Sequence, residues 1–191
     1  MKKVFLLATT AVFMTTANAM AAEGDLPTSS MPVTFTLKKL SGITDIQSMK
    51  GGTITIDPRF VNDYDGTEFM DIVHFDRGMD SLANSPTVKV TGNEMGSFKT
   101  TDTLEDGDHF YVQGEGSSAR GDCHVDGGEY CEFTEIELAD GLRLANFEFI
   151  YNSSESKWSS WACLKASKAY LQDIGNYDEP KSYSITIGYD H

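Results

Sequence analysis

From Val33 to its end, the chain is dominated by short runs in which apolar and polar residues alternate, each run closed by Gly, Asn or Asp. Successive side chains of a strand point to opposite faces, so such runs build half-buried β-strands. Val33, Phe35 and Leu37 alternate with Thr34, Thr36 and Lys38. Thr53-Ile54-Thr55-Ile56 follows Gly51-Gly52 and stops at Asp57-Pro58. Val88 and Val90 precede the Gly92-Asn93 turn, and Phe110 and Val112 follow the turn Glu105-Asp106-Gly107-Asp108. The last run is the most regular, with Tyr183, Ile185, Ile187 and Tyr189 on one face and Ser184, Thr186 and Gly188 on the other. About eight to ten short strands without a βαβ rhythm predict an all-β fold, an antiparallel β-sandwich or barrel.

Two runs change phase. Cys131 and Phe133 share one parity and Ile136 and Leu138 the other; Leu142 and Leu144 give way to Phe147, Phe149 and Tyr151. Such switches predict β-bulges or a loop between strands. Trp161 to Leu171 is open between two readings. Its Ala, Leu and Lys residues suit one short helix over 161–171, while the alternation Ala162, Leu164, Ala166 suits a strand.

The opening residues predict export. Lys2 and Lys3 precede an apolar stretch from Val4 to Met14 broken only by Thr9-Thr10. Two overlapping small-residue frames follow, Ala17-Asn18-Ala19 and Ala19-Met20-Ala21. This is the layout of a cleaved signal peptide over 1–21, and its apolar part is well short of the ~20 residues that span a bilayer. Residues 22–31, small and polar with a proline, read as a flexible leader, and 32–191 as the β-sandwich domain. The expected destination is the periplasm, the cell surface or the medium.

Charge narrows the partners. The chain has 15 basic and 29 acidic residues, a formal charge of −14, and loss of Lys2 and Lys3 makes it two units more negative. A surface so short of cations cannot displace counterions from a phosphate backbone, which excludes nucleic acid. It equally disfavours docking on anionic lipid.

All three cysteines, Cys123, Cys131 and Cys163, lie in the exported part, where oxidation favours a disulfide. Asp126-Gly127-Gly128 between Cys123 and Cys131 is a turn signal, so a hairpin cross-linked Cys123–Cys131 is the preferred pairing, with bridges to Cys163 as the alternatives. Zinc on Cys123, His124, Cys131 and His109 has the right ligand types but no zinc spacing. The acidic loops 62–68 and 102–108 are oxygen-rich, yet neither follows the EF-hand pattern, and the metal assignment stays unknown. His74 sits in an apolar run without a nucleophile elbow, and Glu135 and Glu137 share one strand face. Neither feature amounts to a catalytic site, and no catalytic residue or cofactor is expected. Late aromatics, Trp158 and Trp161 above all, are candidate carbohydrate contacts, against core packing as the plainer role.

Pilus-type assembly joins subunits by adding a strand from one to the sheet of the next. Val33, Phe35 and Leu37, behind a polar leader, form a candidate donor strand, or else the first strand of a sandwich closed within one chain. In order along the chain, the opening strand Val33–Leu37, the run Gly52-Thr53-Ile54-Thr55-Ile56-Asp57-Pro58, the strand end Val90-Thr91-Gly92 and the closing Tyr183-Ser184-Ile185-Thr186-Ile187-Gly188-Tyr189 resemble exported bacterial pilin-like and spore-coat-U-like β-sandwich surface proteins. Cys123–Cys131 and Trp158–Leu171 depart from that pattern. The resemblance implies a non-enzymatic structural or adhesive subunit, with further subunits and a periplasmic chaperone as partners and no direct membrane insertion. The alternatives are a monomeric periplasmic or secreted binding module for carbohydrate or calcium and, third, a small secreted hydrolase.

Overall fold

The structure, a computed structural model, describes residues 28–62, 69–75, 87–93, 96–100, 104–125, 130–174 and 179–190. The signal segment 1–21, most of the leader and the first acidic loop apart from Asn62 therefore lie outside the described residues. Among those described, twelve strands and two short helices follow one another. The strands are β1 (Ser29–Lys39), β2 (Ile43–Ile46), β3 (Thr53–Ile56), β4 (Met70–Phe75), β5 (Val88–Thr91) and β6 (Ser97–Thr100). Then come β7 (His109–Gln113), β8 (Ser118–His124), β9 (Tyr130–Ala139), β10 (Leu142–Asn152), β11 (Lys157–Ala166) and β12 (Lys181–Asp190). Helix α1 (Pro58–Val61) follows β3, and α2 (Lys168–Ile174) follows β11.

The fold is all-β, and the strands join in one mixed sheet of order β2-β6-β11-β10-β9-β8-β7-β12-β1-β3-β5, with β4 on the far half of β11. This path differs from the expected antiparallel sandwich in two respects. Hydrogen bonding runs unbroken through it, and β1 pairs parallel with β12, Val33 against Lys181 through Lys39 against Ile187. A parallel pair needs a long connection. Here nearly the whole chain lies between the two strands.

The path curls because β1 and β2, far apart in sheet order, are joined by only three residues. Leu40 N–H donates to Ile187 O and Tyr189 N–H to Ser41 O, so the corner is stitched to β12. Gly42 makes the bend at φ +63°, and a Cβ there would meet Tyr189 O at 2.4 Å. No other residue type fits that corner without strain.

Curling brings opposite walls together over an aromatic core. Phe110 of β7 meets Trp158 of β11 with ring centroids 4.8 Å apart, and Phe98 of β6 stacks on Trp158 at 6.1 Å. Phe149 packs on Phe98, Phe110 and Phe133 at 5.1–5.4 Å. In the other half, Phe35 of β1 sits edge-on to Phe75 of β4 at 5.0 Å. Burying aromatic side chains of this size contributes roughly 2–3 kcal/mol each, which makes this cluster the main stabilising element.

Strand β1 begins earlier than expected. Ser29 to Pro32 pair with Ile56 to Thr53 of β3, and Met31 is fully buried, extending the parity of Val33, Phe35 and Leu37. The end of the expected leader is therefore strand, with Ser30 turned outward and Ser29, half-buried, on the parity of Met31 at the strand's start. The ambiguous segment resolves into both readings in turn. β11 runs to Ala166, then Ser167 caps α2, its Oγ accepting from Tyr170 N–H at 3.2 Å and its carbonyl from Leu171 N–H at 3.0 Å. Leu171 and Ile174 are buried beneath the helix.

Candidate functional site

Alternation on β11 sorts its side chains by face. Trp158, Ser160, Ala162, Leu164 and Ala166 point into the core, and Ser159, Trp161, Cys163 and Lys165 point outward. Neighbouring strands add to the outer face in register. Cys163 lies opposite His74 of β4 and Ala145 of β10, and Trp161 opposite Glu148. Across β9, Glu135 is level with Ala145 and Glu132 with Glu148. Residues far apart in sequence thus meet on one surface spanning β4, β11, β10 and β9.

An ionic patch occupies one end of it. Arg143 donates to Glu135 at 3.1 Å, and Lys165 bridges Glu135 and Asp71 at 3.7 and 4.0 Å. The Arg143 guanidinium also lies 4.0 Å over the Phe69 ring. Such half-exposed pairs each contribute no more than about 1 kcal/mol, so the patch orders side chains more than it stabilises the fold. Beneath it Cys163 Sγ is 3.4 Å from His74 Nδ1, and His74 Nε2 is 3.9 Å from Asp71. The residue types match a cysteine–histidine–acid triad, but the electrostatics run the other way. Burial, and then the negative charge of Asp71, push the Cys163 thiol up, while Asn146 and Lys165 oppose them. A nucleophilic cysteine needs a depressed pKa; this sulfur is held as a thiol.

A groove of about 320 Å³ occupies the other end, bordered by Glu132, Asn146, Glu148 and Trp161 over Phe133 and Phe147. It exists because β10 carries one residue more than β11 between Ala145 and Glu148, a β-bulge with Asn146 at φ +53°. That bulge is the phase switch visible in the sequence. The Trp161 indole N–H donates to Glu148 Oε2, which fixes the ring.

The sequence-predicted site residues fall into three groups. Cys123 and Cys131 face each other across β8 and β9, with sulfurs 2.08 Å apart in a disulfide that leaves Cys163 as the free cysteine. That bond consumes the two thiols considered for zinc, and His109 lies instead 3.3 Å from Asp122 and against Arg120. Among the described residues, no group of three or more His, Cys, Asp or Glu side chains is arranged to hold a metal ion. Val33, Phe35 and Leu37 are buried on β1 and paired with β12 of their own chain, while the strand's first residues, Ser29 to Pro32, pair with β3. Trp158 is wholly buried and offers no face to a sugar, whereas Trp161 stands on the outer face. Their parity held the distinction: Trp161 shares a face with Lys157, Ser159 and Lys165.

The second acidic loop also has a structural duty. Asp108 is buried, accepts from Glu105 N–H at 2.7 Å and takes the Tyr189 hydroxyl, and Asp106 accepts from Val125 N–H. Its acids hold the turn into β7 and tie it to β12. Glu132, Asn146 and the Cys163–His74 pairing were missed in sequence, because each depends on contacts between strands that local pattern does not encode. No protein-family model, curated protein or solved structure matches the chain. No helix among the described residues is long and apolar enough to cross a membrane.

Proposed function

We propose that the protein is an exported, non-enzymatic structural or adhesive surface subunit whose first strand is exchanged between copies. The observation that carries this reading is the seat of β1. The strand immediately behind the leader lies parallel to the last strand, and its core-facing Met31, Val33, Phe35 and Leu37 are buried there. Without β1, one edge of β12 and the packing surfaces of Phe75 and Tyr183 against Phe35 would be open. An identical segment from a second copy would satisfy the same hydrogen bonds and the same pockets, the physical basis of strand exchange. The disulfide and the acidic balance fit an extracytoplasmic setting.

Thr36 and Ser184 are paired in register on the non-core parity of β1 and β12, which makes them reporters of whose strand is seated. In a Cys163→Ser background, Thr36→Cys/Ser184→Cys should give a ladder of covalently linked copies on non-reducing gels and filaments by electron microscopy. Cross-links confined to single chains, with no high-mass species under any assembly condition, would overturn the reading. A second reading, a monomeric binding module for carbohydrate, draws on the groove beside Trp161, which combines an aromatic wall with carboxylate and amide groups.

A further inference from the structure

The geometry points to the groove over Trp161 as a binding site for a hydroxylated ligand bearing a positively charged amine, of the amino-sugar type. The inference rests on the binding reading and is independent of strand exchange, since one chain completes the groove.

Three observations converge. Glu132 and Glu148 are directly opposed on adjacent antiparallel strands and both border the groove. Like charges so placed repel each other and cost stability, and a cation between them reverses the sign. The basic residues of this face do not supply that cation: Arg143 is bonded to Glu135, Lys165 to Glu135 and Asp71, and Lys157, at the far end of β11, borders a separate hollow with Asp45 and Glu155 instead of the groove. Glu148 spends one oxygen on the Trp161 indole, leaving its other oxygen and the exposed Glu132 carboxylate toward the groove.

Trp161 supplies the second term. With its N–H held by Glu148, the ring is oriented before any ligand arrives, so binding need not freeze it. An indole face attracts an ammonium group through its quadrupole and accepts the apolar face of a sugar ring. Asn146, on the bulge, is the third term. Its side chain is exposed at the border of the groove, where a primary amide offers both donors and an acceptor to ligand hydroxyls. A neutral sugar would use the ring and the amide and leave the opposed carboxylates unrelieved; a simple metal ion would ignore the ring. A protonated amino sugar uses all of them.

The test is isothermal titration of the signal-free, disulfide-intact protein with a glucosamine tetramer and with its fully N-acetylated counterpart, at a pH where the amines are charged. The free-amine tetramer should bind at least about tenfold more tightly, the equivalent of one good charged contact. Glu132→Gln, a conservative change at an exposed position, should remove that preference, and Trp161→Phe should weaken both ligands. Glu135→Gln, in the ionic patch, should bind as the parent does, and unchanged melting curves confirm that each variant is folded. Equal affinity for the two tetramers, or an amine preference that survives Glu132→Gln, would overturn the inference while leaving a neutral-sugar module standing. No binding of either tetramer would overturn both.

Discussion

Trp158 and Trp161 lie three residues apart on β11, yet they occupy different environments. Trp158 is fully buried between Phe98, Phe110 and Tyr151, where the two walls of the curled sheet meet. Trp161 stands on the opposite face, pinned by a carboxylate at the edge of a polar groove. The same side chain is structural in one place and available for recognition in the other, and strand parity alone decides which. The difference extends beyond these two residues. The inner face of β9–β11 is close-packed aromatic and aliphatic side chains, and the outer face, continued onto β4, carries charge, a thiol and the His74 imidazole.

The largest expected effect separates the two directly. Trp158→Ala should cost about 3–5 kcal/mol, because it removes an indole from a close-packed cluster and leaves a cavity that strands on both walls cannot close. Trp161→Ala should cost less than about 1 kcal/mol, as expected for an outer-face position. Urea unfolding midpoints of the two variants make the comparison. Equal losses would mean that Trp161 is part of the packing and that the outer face is not a separate functional surface.

The cysteines repeat the contrast at smaller amplitude. Cys123 and Cys131 close an eight-residue separation from inward positions at the β8–β9 edge, and Cys163 is covered on the outer face by His74. Replacing both bridged cysteines by serine should lower stability by about 2–3 kcal/mol, the loop-closure entropy returned to the unfolded chain. Cys163→Ala should cost about 1 kcal/mol or less. In the parent protein Cys163 should resist alkylation, and His74→Ala should expose it and speed the reaction. Rapid labelling of Cys163 in the folded parent would contradict both its cover and its raised pKa.

How much of this was legible in the sequence follows from the range of the interactions concerned. Alternation located β1, β3, β7 and β12, because period two is a property of the strand itself. The phase change after Leu144 announced the bulge at Asn146, and the Asp-Gly-Gly signal pointed to the hairpin that joins Cys123 to Cys131. Sheet order is another matter. The pairing of β1 with β12 spans nearly the whole described chain, and nothing local in Val33–Leu37 distinguishes a parallel partner from an antiparallel one. The site was harder still: Glu132 meets Glu148, and Cys163 meets His74, only through cross-strand register. Ser167, by contrast, was a readable cap, hidden because the strand pattern of β11 runs to within one residue of it.

The smallest effect tests the inner face by titration. Tyr183 is buried on β12, and its hydroxyl lies 2.6 Å from that of Tyr170 on α2, a side-chain bond holding the helix against the sheet. Burial pushes the Tyr183 phenol up; the Tyr170 hydroxyl opposes that shift, and Glu115 adds to it. A phenol becomes charged when it loses its proton, and an apolar setting resists the charge. The unfolded chain therefore releases this proton at a lower pH than the folded one does. By linkage, the stabilising contribution is complete below the unfolded value of about 10 and is lost as pH rises through the higher folded value. Stability should thus fall on the alkaline side, and Tyr183→Phe should flatten part of that fall while costing about 1 kcal/mol at neutral pH for the lost hydrogen bond. Unfolding curves from neutrality to pH 11 for parent and variant measure both quantities. Trp161→Ala, on the other face, should leave the alkaline slope where it was. If it changes that slope as much as Tyr183→Phe does, the two faces are not energetically separate, and the contrast between the tryptophans loses its physical basis.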